Sequence, residues 1–587
     1  MPDFQNPQQD PGMERRLLLT FALTFLVILL FQPILKKYLP QAATPPAPTQ
    51  TQTPPAAQPE INQPSEVTRS RPKPQSTATK QASSESTIVI ESDLYQITFT
   101  NRGAQVKSWI LKKFNDEKGQ PLELVNQAAS EKYGYPLSLW MYDETQRNQL
   151  NSALFVTSAT GTLHTPVELS FEYANQGTTA RKSFRFDDTY AVQVETSVTS
   201  GGNNVTAYPM WPAGLGDETN LPSYASGRIE YQFNNNVERL AIKKISSGNT
   251  LQGPFNWAGT TDQYFAVIFL PDSSQNAAMV TLRNAIDIPK DPQKPNPQET
   301  TKAEVLGVAV GNPHGPTVQR MFVGPKSLNV LESVPVHGIT GAEPDLRALI
   351  DFGWWGVFAR PLFIWLKWTY ANPYIGVHNW GWAIVVQTLI INLALMPLRI
   401  SQTKYALKMQ KIQPQIKAIQ ERYKKYSMRD PRKQDMQKEI FALQQKEGVS
   451  MWGGCLPMLV QFPFLIAYYR MLGIAIDLRQ AHWLWIHDLS SADPYLILPI
   501  LIIITGLLMQ RMTPQAGIDP SQQKMMNVMM PMMFGIISFR LAAGLCLYWC
   551  ESSLIGIAQQ MVLNRTSMGI EMREIALKRA RKKEKKQ

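Results

Sequence analysis

The chain has 587 residues, 44% of them hydrophobic, a formal charge of +12 and a slightly negative mean hydropathy. Averages of this kind combine a soluble part with a membrane part, and the length allows several domains. Three cysteines, Cys455, Cys546 and Cys550, are too few for a disulfide framework, and their place in or beside apolar runs marks them as reduced structural thiols.

Taken in order, residues 1–16 precede a first apolar run, 17–35, that is longer than a signal-peptide core and lacks a small-residue cleavage site after it; this predicts an uncleaved anchor. Residues 36–85, rich in Pro, Thr, Gln, Ala and Ser, cannot bury enough apolar surface to offset chain entropy and read as a disordered tether. Residues 86–338 change to short alternating stretches such as STIVIESDLYQITFT and DQYFAVIFL, bounded by Gly, Asn, Asp and Pro, which predict a large antiparallel all-β sandwich. Next, DFGWWGVFARPLFIWLKWTY predicts an amphipathic helix within 345–372, lying in the outer headgroup layer with Arg360 and Lys367 on one face. The alternative, a further span, would break the charge topology.

Five more apolar runs, 380–398, 452–471, 494–510, 525–539 and 541–563, bring the predicted spans to six. The fourth and fifth of these are separated only by Arg540, which predicts a tight helical hairpin. Lys and Arg crowd the loop 399–450 and the tail 564–587, placing both in the cytoplasm; counting spans then puts the N-terminus and loop 511–524 inside, and the β-rich segment and loop 472–493 outside. In the loop, Tyr405, Met409, Ile412, Ile416, Ile419, Tyr423 and Tyr426 alternate spacings of four and three, a coiled-coil seam. A second helix is expected with Asp430 as cap and Pro431 in its first turn, ending before Gly448, with Met436, Ile440 and Leu443 as its apolar side. Together they predict an antiparallel hairpin with a basic exterior, standing off the membrane.

Polar residues inside the spans are the candidate site. Gln387, Thr388 and Asn392 interrupt the second span, and Gln461 sits in the middle of the third. Tyr548, Glu551, Ser552 and Gln559 share one helical stripe of the sixth, so Glu551 should face the interior. A polar group in hydrocarbon costs free energy unless a partner helix or wet cavity satisfies it; these residues either bond between helices or line a functional site. Lys417, Arg422, Lys424 and Lys425 in the loop and Arg579, Arg581, Lys582 and Lys583 in the tail suit phosphate contact, with anionic lipid headgroups or with ribosomal RNA. The six histidines show no metal spacing, there is no GxxxxGK[ST] motif, and no nucleophile, base and orienting group can be placed; neither catalysis nor a cofactor is expected.

The strings MPL followed by KMQKIQPQIKAIQERY, then GGCLPMLVQFPFLIAYYRML, LRQAHWLWIHDLSSADPYLILPI, DPSQQKMMNVMMPMMF and AAGLCLYW, ending in a basic tail, resemble the YidC/Oxa/Alb family of membrane protein insertases in its Gram-negative form. The resemblance is dense from about residue 351 to the C-terminus. It implies a polytopic α-helical membrane protein of six transmembrane helices, five of them around a hydrophilic groove, plus a periplasmic β-sandwich. The groove would be open to the cytoplasm and the lipid and would pass the polar end of a nascent membrane protein, alone or with the Sec translocon. The groove residues would be Thr388, Asn392, Gln461, Tyr548, Glu551 and Ser552, while the hairpin and tail would meet the ribosome, and the hairpin also the signal-recognition targeting machinery. The family usually has an arginine five residues before the proline of its MPL-like end, and here that position is Asn392. Arg399, on the same face about 10 Å nearer the cytoplasm, is either a partial substitute at the groove mouth or an ordinary positive flank. Two rivals are a secondary transporter, for which no internal repeat or paired broken helices are seen, and a membrane-anchored carbohydrate-binding protein, which rests on fold analogy alone.

Overall fold

The computed structural model describes residues 79–584 except 219–220, 235, 241, 291–297, 337–345, 375, 427–429, 450–455 and 513–519. The expected anchor and most of the tether lie outside the described residues.

Among the described residues, Thr87 to Pro325 build three sheets in place of the expected pair, one of ten strands and two of five. The first hairpin, Thr87–Glu91 with Tyr95–Thr100, shows why alternation becomes sheet. Ile88, Ile90, Ile97 and Phe99 point inward at period two, and Ser92 Oγ accepts from the Leu94 and Tyr95 amides at 3.1 Å each to turn the chain. The sheets are not wholly antiparallel. Gly161–His164 pairs parallel with Thr87–Glu91, which the long intervening excursion through other strands permits. Phe99, Phe184 and Phe171 cluster with ring centroids 5.0 to 6.1 Å apart, and Trp109 meets Trp211 at 6.1 Å. Strands Phe255–Thr261 and Phe265–Pro271 are buried along their whole length, since Thr300–Gly311 of another sheet packs over them.

A lysine sits inside this core. Lys182, 1% exposed, donates from Nζ to the carbonyls of Gly103 and Leu137 at 2.7 Å and Ala104 at 3.2 Å. Burial pushes its ammonium down to about 7, while three carbonyl acceptors hold the charged form in place. Lys182→Met leaves three buried carbonyls unpaired and is expected to cost about 3 kcal/mol, read as a lower thermal midpoint of the full-length protein.

Beside this core, Glu218 is 8% exposed and is pushed up to about 9 by burial and then by the charge of Asp262; the same causes raise Asp217. Between about pH 5 and 7 the folded protein keeps protons that the unfolded chain releases, so stability falls as pH rises across that window. The Lys182 shift acts only above it. Thermal midpoints at the two ends should show this slope, and Glu218→Gln should flatten it.

The remainder is helical. We number α1 Gly356–Ala371, α2 Trp380–Ala394, α3 Met396–Arg422, α4 Arg432–Lys446, α5 Leu456–Ile474, α6 Ile497–Met512, α7 Pro520–Ser538, α8 Ala543–Arg565 and α9 Ser567–Glu584. Helix α2 is capped by Asn379, which accepts from the Trp382 amide. At Leu395, just before Pro397, it bends 48° into α3. Among the described residues no single helix is long and apolar enough to cross a membrane, although α2 and α3 together are, by length and composition. The reason is plain in α2 and α8: the first has 15 residues, about 22 Å of helix, and the second, with 23, carries Glu551, Ser552 and two glutamines.

Helices α1, α2, α5, α6 and α8 share one apolar core that includes Leu362, Ile384, Tyr468, Ile502 and Leu547. Helices α6 and α7 approach closely where a Cβ on Gly535 would lie 2.0 Å from Ile503 Cγ1. The connection from α7 to α8 runs over 539–542, longer than the single Arg540 expected. In the predicted hairpin, Met409, Ile412 and Ile416 of α3 pack with Val449, Ile440 and Leu443, while Met436 stays outside that cluster. Helix α4 begins one residue later than expected, at Arg432, whose amide donates to Asp430 Oδ1. The basic tail forms α9, which lies on α3 through Gln410 Nε2 to Met572 O at 3.2 Å and Lys411 to Glu571 at 2.6 Å.

The segment between α5 and α6 joins the two halves. The His482 carbonyl accepts from Asn379 Nδ2 at 3.0 Å, and the Leu489 and Ser491 carbonyls accept the first amides of α8 at 2.8 and 2.6 Å. On its other side Gln480 Nε2 donates to Asn115 O at 2.9 Å and Asp116 O at 3.1 Å.

Candidate functional site

A ladder of polar side chains runs between α2 and α8. Gln387 and Thr388 are fully buried and Asn392 nearly so, because the spacing of four puts Ile384, Thr388 and Asn392 on the side of α2 that meets α8. At one end the Tyr468 hydroxyl of α5 donates to Gln387 Oε1 at 2.6 Å, and Gln387 Nε2 donates to Leu362 O of α1 at 3.0 Å. The Tyr468 ring stacks on Tyr548 of α8 at 4.2 Å. Thr388 is satisfied within its own helix, donating to Ile384 O at 2.7 Å. Asn392 Nδ2 donates to Thr388 O at 2.9 Å and to Ser552 Oγ at 3.3 Å, and its carbonyl accepts from Gln559 Nε2 at 3.0 Å.

At the other end Arg399 Nη1 donates to Gly556 O at 3.3 Å. The contact needs a bare backbone: a Cβ on Gly556 would lie 2.9 Å from that nitrogen. Two acceptors on α8 remain open, since Glu551 Oε2 and Gln559 Oε1 are buried and have no hydrogen-bond partner among the described residues.

Of the residues anticipated for a groove, Thr388, Asn392, Tyr548, Glu551 and Ser552 therefore come together on facing helices. The side chain of Gln461 lies outside the described residues. Arg399 reaches the backbone of α8 instead of standing as a free flank. Tyr468 was missed: two adjacent tyrosines in LIAYYRM look alike in sequence, and only helix phase separates buried Tyr468 from half-exposed Tyr469. Among the basic residues, Lys417, Lys424, Lys425 and Arg581 are exposed, and Arg422 pairs with Glu439. The side chains of Arg579, Lys582 and Lys583 lie outside the described residues. No group of three or more His, Cys, Asp or Glu residues able to hold a metal occurs among the described residues.

A β-rich domain followed by apolar helices with an internal polar ladder matches two family models in tandem: "YidC periplasmic domain" over residues 87–365 and "60Kd inner membrane protein" over 370–570. The class is thus an inner-membrane protein with a periplasmic domain. The membrane protein insertase YidC of Geobacter metallireducens is 30% identical, with 94% of this chain and 99% of the relative covered. That of Syntrophus aciditrophicus is 28% identical over 94% of this chain and its own full length. A crystal structure of an active YidC insertase with its first transmembrane domain resolved aligns at 18% identity, covering 83% of this chain and 95% of its own, with a TM-score of 0.33. The chain belongs to the YidC family of membrane protein insertases.

Gln387→Leu should break both of its bonds and strand the Tyr468 hydroxyl, lowering the thermal midpoint in detergent by an amount corresponding to about 1–2 kcal/mol. Thr388→Val, which loses one intrahelical bond, should cost less.

Proposed function

We propose that this non-enzymatic insertase passes the polar end of a nascent membrane protein along the ladder between α2 and α8, which lines a hydrophilic groove. The observation that carries this reading is the pair of buried, unpartnered acceptors, Glu551 Oε2 and Gln559 Oε1, on the same stretch as Asn392 and Ser552. A client's amide and hydroxyl donors crossing an apolar layer lose water; acceptors placed along the way lower that barrier without nucleotide hydrolysis.

In this reading the chain has six spans, the anchor 17–35 and five core spans near 380–398, 452–471, 494–510, 525–539 and 541–563. The positive-inside bias supports both termini and the α3–α4 hairpin in the cytoplasm, and the β domain, α1 and the loop 472–493 in the periplasm. Exposed cations at the hairpin tip and along α9 suit rRNA phosphate or anionic lipid; ribosome, targeting machinery and Sec translocon are the partners we assign to this side. With Asn392 in place of an arginine, clients are held by hydrogen bonds and not by charge attraction, and Arg399 is the cation nearest the ladder.

Insertion of a small single-span protein with a short acidic outer terminus into liposomes holding only this protein tests the reading, scored by protection from added protease. Protection well above empty liposomes is expected. Glu551→Leu should reduce it several-fold and Glu551→Gln, which keeps an acceptor, should retain most of it. Absence of protection by a folded, correctly oriented protein refutes autonomous insertion, and unchanged protection with Glu551→Leu refutes the ladder as the path.

A further inference from the structure

The segment between α5 and α6 meets the β domain around a cavity of about 890 Å³. Asp217, Glu218, Asp262 and Tyr264 line it from the β domain, and Arg479 and Ser490 from the segment. Asp262 is 5% exposed. Its Oδ1 accepts from the Tyr264 and Phe265 amides at 2.6 Å each, which fixes the carboxyl, while its Oδ2 is buried without a hydrogen-bond partner among the described residues. Asp217 Oδ1 is in the same position, and the two carboxyls stand within hydrogen-bonding reach of each other. Two carboxylates only accept, so either a shared proton or a cationic donor satisfies both. Burial and then the charge of Asp262 raise the Asp217 carboxyl, and Glu218 is raised by the same causes; an added ammonium would be drawn to such a group.

Arg479 is the unmatched group of opposite sign. Its guanidinium lies over the Phe265 ring at 5.4 Å, and its Nη1 is buried with no hydrogen-bond partner among the described residues. It attracts Asp217 through space, without a hydrogen bond between them. The cavity thus presents buried acceptors from the β domain and a buried donor from the segment, and each is costly to leave unpaired.

We propose that this cavity binds a short peptide with free ends, its ammonium between Asp217 and Asp262 and its carboxylate on Arg479, so that the ligand ties the β domain to the segment between α5 and α6. A simple cation would leave Arg479 unpaired, and an anion would meet three carboxyls. A zwitterion serves both sets. The volume lies in the upper part of the range for small-molecule sites, about 300–1,000 Å³, and suits several residues better than one ion.

Calorimetric titration of the full-length protein in nanodiscs with trialanine tests the site, beside N-acetyl-trialanine and trialanine amide. Trialanine should bind saturably and raise the thermal midpoint. Blocking either end should weaken binding about tenfold or more, the weight of one charged hydrogen bond. Asp262→Asn, which keeps the Oδ1 acceptor, should lose most of the preference for a free ammonium and keep that for a free carboxylate. Arg479→Gln should do the reverse, and Arg479→Lys should restore the carboxylate preference. The comparison of the three peptides on the wild type needs no variant, so the proposal stands or falls even where a substitution prevents folding. Absence of saturable trialanine binding overturns it, as do preferences that folded Asp262→Asn and Arg479→Gln leave unchanged. Equal binding of trialanine and its amide by the wild type also overturns it and reduces the cavity to a site for simple cations.

Discussion

The helical half of this molecule is organised by the need to satisfy amide and hydroxyl groups inside an apolar bundle. Gln387 can be buried only because Tyr468 and the Leu362 carbonyl reach its two ends, and that requirement places α5 and α1 against α2. Asn392 makes the same demand of α8, which answers with Ser552 and Gln559. Gly556 follows from these constraints, for a side chain there would push the Arg399 guanidinium off the helix. The acceptors left over on α8 are then the part of the ladder that its own bundle does not consume.

The β domain is built by a different rule, an aromatic and aliphatic core in which buried Lys182 is satisfied by carbonyls. It nevertheless sets how the helical half begins. Asp351, just before α1, is held by Arg228 at 3.3 Å and Arg239 at 3.5 Å, and Arg239 also meets buried Glu230 at 3.3 Å. Those arginines, with the Gly353 amide, hold the Asp351 carboxyl below its usual range against the cost of burial. The segment between α5 and α6 provides a second tie, accepting the first amides of α8 on one side and donating to the Asn115 and Asp116 carbonyls of the β domain on the other. The entry to α1 and the start of α8 are thus both anchored to rigid elements.

The distribution of cations separates this chain from the pattern its family resemblance implies. Asn392 occupies the position of an expected arginine, brings no charge there, and is hydrogen-bonded into the ladder through its side-chain amide and its backbone carbonyl. Arg399, about two turns further on, brings the only cation described in contact with the ladder, and it spends one N–H on α8. On α1, where a spacing of seven puts Arg360 and Lys367 on one face, Lys367 is drawn to Asp477, its Nζ 3.5 Å from Oδ1.

Much was legible in the order of residues alone. Alternating stretches such as STIVIESDLYQITFT and DQYFAVIFL fall on strands, and the apolar runs and the hairpin seam fall on helices, because period two and period 3.6 are properties of a single segment; the bend that divides the run 380–398 between α2 and α3 was not visible in it. The stripe Tyr548, Glu551, Ser552 and Gln559 on one face of α8 followed from the same geometry. Three things depended on elements far apart in the chain. The parallel pairing of Gly161–His164 came from a crossover that no local pattern encodes. The packing of the tail helix α9 on α3 required Gln410 to meet a carbonyl 162 residues away. The choice of Tyr468 over Tyr469 and the turning of Lys367 toward Asp477 were made by neighbours on other helices. Sequence by itself determined which faces were polar; tertiary structure decided which of those groups found partners, since a hydrogen bond or ion pair needs two groups within about 3 to 4 Å and only the fold brings distant residues that close.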